Sequence, residues 1–154
     1  GDHDILLVTR NGKAIRFRES EVRAMGRGAA GVRGIRLSSG DQVVGMVGAR
    51  GGETVLIVTE KGHGKRTALS QYRLTRRGGK GIVTLRITEK NGKVVASRGV
   101  VDEDELILIA SSGQVIRVNA GGIPVMGRAT QGVRLMNLAE GDSLVDVARM
   151  ATEE

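Results

Sequence analysis

The sequence predicts an all-β chain of three four-stranded, propeller-like blades of about 50 residues each, and three observations predict it. An apolar run followed by a turn glycine recurs at Ile5–Thr9 with Gly12, at Val55–Thr59 with Gly62, and at Leu106–Ala110 with Gly113, at spacings of 50 and then 51. Arginine follows each turn glycine at the same interval, at Arg16, Arg66 and Arg117, and an arginine–glycine pair recurs at Arg27/Gly31, Arg77/Gly81 and Arg128/Gly132. A period held at so many landmarks marks a repeated supersecondary unit whose faces are buried only against neighbouring copies. The third observation is composition: 24 glycines against 1 proline suit many tight turns, and 1 Phe, 1 Tyr and no Trp leave the core to aliphatic side chains.

Taken in order, the first repeat opens with the apolar strand Ile5–Thr9. Asn11-Gly12 supplies a positive-φ turn, and Ala14-Ile15-Arg16-Phe17 completes a hairpin. The stretch from Glu19 to Gly28 reads as irregular. Gly31 to Leu37 alternates apolar with basic as a third strand, Ser39-Gly40-Asp41 turns the chain, and Gln42 to Met46 closes the unit. The matching last turns are Glu89-Lys90-Asn91-Gly92 and Glu140-Gly141-Asp142. Blade limits fall at about 2–50, 51–101 and 102–150 within one domain, 1–154. Three blades are too few for an ordinary closed ring.

Charge is unevenly placed. Residues 1–60 carry 9 Lys/Arg and 7 Asp/Glu, residues 61–98 carry 11 and 1, and residues 99–154 carry 4 and 9. The middle repeat therefore holds more positive charge than the net +7 of the whole chain, and a surface so dense in cations suits a polyanion. Its centre is Arg76-Arg77-Gly78-Gly79-Lys80-Gly81, where glycines allow backbone N–H groups to approach a phosphate and the cations supply charge-assisted donors. The same construction also describes a plain tight turn. A nucleotide P-loop is the poorer reading, since Gly64-Lys65 is followed by Arg66 and by no evident helix.

Other chemistry is poorly supported. With no cysteine there are no disulfides or thiolate metal sites, and His3 and His63 lack metal-ligand spacing; both read as surface residues, His63 in a turn. Tyr72 reads as a packing or rim residue rather than a nucleophile. Asp102-Glu103-Asp104-Glu105 reads as a solvated loop that repels polyanion, not as a metal site. No apolar stretch approaches the roughly 20 residues of a membrane helix, and no signal peptide opens the chain, so a soluble, intracellular protein without membrane association is expected.

At the level of whole motifs the chain resembles the C-terminal domain of DNA gyrase A, one of the two proteins of a type IIA DNA topoisomerase. Arg76 to Gly81 matches six of the seven positions of that family's box, Gln-Arg-Arg-Gly-Gly-Lys-Gly, with Thr75 in the place of glutamine as in a secondary copy. Val22 to Arg27 with Gly31 to Ile35, Gly64-Lys65-Arg66-Thr67, and Gly127 to Arg134 resemble its later blades. The resemblance implies a β-pinwheel, whose blades exchange a strand, and of whose six blades these look like the last three. It implies sequence-independent binding and wrapping of duplex DNA on a basic rim, presented to the cleavage core for negative supercoiling. The implied partners are the rest of gyrase A, and gyrase B, in the cytoplasm. The fragment itself is expected to be non-catalytic and without cofactor, ATP and Mg belonging to the full enzyme.

The expected DNA contacts are Arg16, Arg27, Arg33, Lys65, Arg66, Arg73, Arg76, Arg77, Gly78, Gly79, Lys80, Gly81, Arg117 and Arg128. Two alternatives stay open: the equivalent DNA-binding domain of topoisomerase IV, and a propeller-like module for an acidic protein partner.

Overall fold

The apolar runs become the central strands of three sheets. The computed structural model describes residues 3–23, 34–49 and 53–150. The first repeat forms β1 (Asp4–Thr9), β2 (Lys13–Arg18), a single helical turn α1 (Ser20–Arg23) and β3 (Val43–Ala49). The second forms β4 (Thr54–Thr59), β5 (His63–Ala68), β6 (Leu74–Thr75), β7 (Ile82–Val83) and β8 (Val94–Val100). The third forms β9 (Glu105–Ala110), β10 (Val115–Asn119), β11 (Val133–Arg134) and β12 (Leu144–Arg149). Short 3-10 turns follow β5 at Leu69–Gln71 and β10 at Ala120–Gly122.

Each sheet is built on three antiparallel strands of one repeat with its first strand at the centre, and the first two also take strands handed over by the next. In the first, β3-β1-β2 is extended by β6 and β7; in the second, β8-β4-β5 is extended by β11; the third is β12-β9-β10. The register repeats: Gly12 N–H closes its turn on Thr9 O at 3.0 Å, Gly62 on Thr59 at 3.1 Å and Gly113 on Ala110 at 3.0 Å. The expected four strands per repeat are present in the third, and the second has five because its crossing segment forms two short strands, β6 and β7; in both repeats the crossing strands belong to the neighbour's sheet. This is a β-pinwheel. The expected strand from Gly31 lies partly outside the described residues; Ile35 forms a parallel bridge with Gly79.

Alternation along a strand decides which junction each side chain fills. On β4, Val55 and Ile57 join Leu6, Val8 and Tyr72 between the first and second sheets, while Leu56 and Val58 join Leu106, Leu108 and Val147 between the second and third. Both faces of β4 are covered, which is why its sequence is a continuous apolar run rather than an alternating one. β9, covered on one face, alternates buried Leu106, Leu108 and Ala110 with half-buried Ile107 and Ile109.

Leu56→Ala should therefore cost about 2–5 kcal/mol, the usual range for a truncated core leucine. The repeat-equivalent Ile107→Ala should cost distinctly less. Urea unfolding of the two variants checks this, and equal losses would contradict the one-sided covering of β9.

Candidate nucleic-acid interface

The recurring arginines are the bonds between blades. Arg16, on β2, donates from Nε to Asp4 at 2.7 Å and from Nη1 to the carbonyls of Leu69 and Tyr72 at 3.1 and 3.0 Å. Arg66, one repeat later on β5, donates from Nε to Ile123 O at 2.9 Å and from Nη1 to Asp102 at 2.7 Å, and is only 4% exposed. Each guanidinium thus caps carbonyls at the 3-10 turn that opens the next repeat's crossing segment. Among the described residues Arg117 keeps only its own blade's partner, Glu105 at 3.9 Å, and is exposed.

Lys65 is buried as well. Its ammonium donates to Gly127 O at 2.7 Å, Arg128 O at 2.6 Å and Thr130 Oγ1 at 3.0 Å, so three hydrogens meet three acceptors. Burial, with a smaller contribution from the Arg128 guanidinium, draws its pKa down to about 8. The expectation that Lys65 and Arg66 meet phosphates on an exposed rim is corrected, because both are buried and bonded inside the protein; Arg16 is half-buried, its guanidinium engaged by Asp4 and two carbonyls. Arg128 is half-buried and donates to Val83 O at 2.8 Å. Arg27 and Arg33 lie outside the described residues.

The acidic run is exposed at Asp102, Glu103 and Glu105, as a solvated loop would be, but two of its carboxylates also serve the framework. Asp102 receives Arg66, and the buried Asp104 accepts from Val101 N at 2.9 Å. Tyr72 is buried, with its hydroxyl on Thr84 and its phenol pKa raised by that burial. His63 opens β5 and is buried, rather than sitting exposed in a turn.

What remains open to solvent is the loop after β6. It crosses β2 with Gly79 against Ile15 and with Gly81 at φ +78°, where a Cβ would stand 2.6 Å from Ala14 O. Only glycine fits there, since the positive φ and the close backbone act together. Gly78 takes φ +88°, yet its N–H donates to Gly34 O at 2.7 Å, and Arg77 N donates to Glu21 at 3.2 Å. Glycine therefore serves the docking of loop on blade here, and two of the loop's N–H groups are already engaged by protein. The phosphate-facing chemistry falls to side chains: Arg73, Arg76 and Lys80 are exposed around a cleft of about 260 Å³ floored by Ile15 and Arg16. Thr75, in the place of the box glutamine, donates to Arg16 O at 3.1 Å.

Sequence reasoning missed the burial of Lys65, although the signal was available: Ile15 and Ile116 stand at its repeat-equivalent positions. Lys65→Ala should remove three hydrogen bonds and leave Arg128 O without its donor, while Gly127 O keeps the Thr130 hydroxyl at 2.7 Å, at about 1–3 kcal/mol for a buried acceptor that water does not reach. Chemical denaturation should register that loss, whereas Arg76→Ala should stay within about 0.5 kcal/mol of the parent.

Comparison with known proteins places this geometry. The profile of the family described as DNA gyrase C-terminal domain, beta-propeller, matches three times, over residues 3–47, 53–98 and 104–149. The chain is 47% identical over 156 residues to the DNA gyrase A protein of Staphylococcus epidermidis, covering all of this chain and 18% of that protein. It is 42% identical over 151 residues to the DNA gyrase A protein of Escherichia coli K12, covering 98% and 17%. It therefore spans less than a fifth of these relatives. A solved DNA gyrase A C-terminal domain superposes with a TM-score of 0.90 at 30% identity, over 97% of this chain and 51% of that one. The C-terminal domain of DNA topoisomerase IV shares the fold, with a TM-score of 0.84 at 24% identity over 96% and 46%. A strand-exchanging trio of sheets matched along each repeat makes the chain a member of the DNA gyrase C-terminal domain β-propeller family.

Proposed function

We propose that this chain binds duplex DNA on the basic surface of its second repeat and bends it there, presenting it to the cleavage core of a gyrase for negative supercoiling. The observation that carries the reading is the cleft beside the 76–81 loop, where Arg73, Arg76 and Lys80 stand exposed and form no ion pair among the described residues. Phosphate is the anion such a surface suits, since a duplex offers it at every step and the cleft brings Arg73, before β6, together with Arg76 and Lys80 of the loop.

Bending a 20–30 base-pair site by 40–90° costs about 1–6 kcal/mol, so a bending surface must spread its contacts along the duplex. Arg86, exposed beyond the loop, extends the series. Contacts of this kind read backbone and not base edges, so binding is sequence-independent. On this reading the domain is non-catalytic. The rest of gyrase A, and gyrase B, contribute strand cleavage and the ATP and Mg chemistry, in the cytoplasm.

The shared fold also supports the corresponding domain of topoisomerase IV, which binds DNA without such wrapping. Sealing of nicked circles by ligase in the presence of the protein separates the two, because only a wrapped duplex leaves a changed linking number. Displacement of any acidic protein partner by duplex would dispose of a protein-binding module.

Replacing Arg73, Arg76 and Lys80 together by alanine should weaken binding by a similar factor on unrelated duplexes. Each lost phosphate contact removes roughly 0.9 from the slope of log affinity against log salt, so the slope should flatten by about 2 to 3. Fluorescence anisotropy across a salt series measures both, and an unchanged slope would place the DNA elsewhere.

A further inference from the structure

A second basic groove, of about 290 Å³, lies where the β4–β5 turn meets the third repeat. Lys61 comes from that turn, His63 from β5, Lys90 from the turn before β8, and Arg134 from β11, so three elements of the second repeat and one of the third converge on it. Lys61, Lys90 and Arg134 are exposed and none forms an ion pair among the described residues. Lys61 reaches the carbonyl of Glu89, and Arg134 donates to Asn137 at 3.4 Å, which leaves their charges uncompensated.

The one carboxylate in the wall, Asp142, is committed elsewhere. It accepts from the hydroxyls of Ser111 and Ser112 at 2.7 and 2.6 Å and from the N–H groups of Ser112 and Ser143 at 3.0 and 2.9 Å. The buried imidazole of His63 registers the imbalance: burial first, then Arg134, Lys90 and Lys61, hold its pKa below the ordinary value. Three cations face one engaged carboxylate and one neutral ring.

We propose that this groove is a second phosphate-binding station, on which duplex DNA held at the 76–81 loop continues across the junction of the second and third sheets. The proposal rests on the DNA-binding reading above and adds Lys61, Lys90 and Arg134 to its contacts. These three cations were absent from the contacts expected from sequence, and none of them recurs in all three repeats. A phosphate seated among them reverses the local field at His63 and favours its protonated form, so DNA binding takes up a proton there and strengthens as pH falls toward the ring's midpoint.

The chain has two histidines, so imidazole NMR resolves the ring directly, with His63→Gln to assign it. A short duplex should raise the His63 midpoint by about one pH unit, the effect expected of an anion brought within about 4–6 Å. The triple variant Lys61→Ala, Lys90→Ala, Arg134→Ala should lose that response and flatten the salt slope by about 2 to 3. In the DNA-free variant the midpoint should already lie higher than in the parent, since the three repelling cations are gone. Its amide spectrum reports whether it is folded. If the parent binds duplex but the ring does not respond and the triple variant keeps its slope, the second station is wrong and the DNA reading stands. If the parent binds no duplex, both fail. If inorganic phosphate moves the ring as far as duplex does while the variant keeps full duplex affinity, the groove is a small-anion site and the duplex assignment is overturned.

Discussion

The structure depends on one handover: each repeat lays its crossing segment over the open edge of the sheet before it. Gly12 O accepts from Thr84 and Leu85 at 2.8 and 3.3 Å, and Gly62 O accepts from Leu135 and Met136 at 2.8 and 3.2 Å. Arg16 and Arg66 fix the start of each crossing and apolar side chains from both sheets fill the space beneath it. Because a blade borrows its outer strand from the next, no repeat so covered satisfies its own backbone or buries its own faces alone, and stability is shared along the array. The exposed loop is a by-product of that handover, since the segment that docks on β2 must also turn back toward its own sheet.

How much of this was legible follows from what recurrence means. The strands, turns and period were readable because each repeat needs the same register and the same tight turn. Arg16 and Arg66 recur for the same reason, as internal contacts between blades, whereas Arg117 has no following blade among the described residues and is exposed. A residue that returns at every repeat is what a repeated internal contact demands, whereas a ligand needs no such regularity. Arg76 and Lys80 are replaced by Gly127 and Gln131 in the third repeat, and those two non-recurring cations are the ones on the surface. Lys61 likewise corresponds to Ser112, and Lys90 stands in a turn one residue longer than its counterpart in the third repeat.

Lys65 shows the limit of that rule. It does not recur, yet it is buried, because the position it occupies is apolar in the other repeats and its carbon stem can fill the same space. The loop it meets differs as well: residues 76–81 settle on Ile15, while residues 127–132 turn two carbonyls and a hydroxyl toward an ammonium. Sequence alone gives the pairing of Lys65 with that loop no visible form, since the partners are 62 to 65 residues away and two of the three are backbone atoms.

The third sheet isolates what covering contributes. β10 and β5 occupy the same place in their repeats, yet β5 is buried at nearly every residue while β10 is exposed or half-buried throughout. A Cβ on Gly62 would stand 2.5 Å from the following repeat's backbone, and one on its equivalent, Gly113, would meet nothing within 4 Å. Among the described residues no crossing segment lies on β10, and Val115 there is 58% exposed. The strand still forms, held by its ladder with β9. Hairpin formation is therefore local to each repeat, burial is conferred by the neighbour, and the same division explains why charge can vary so freely on the crossing loops: their backbone is fixed by the blade beneath, leaving the outward side chains free to serve a partner.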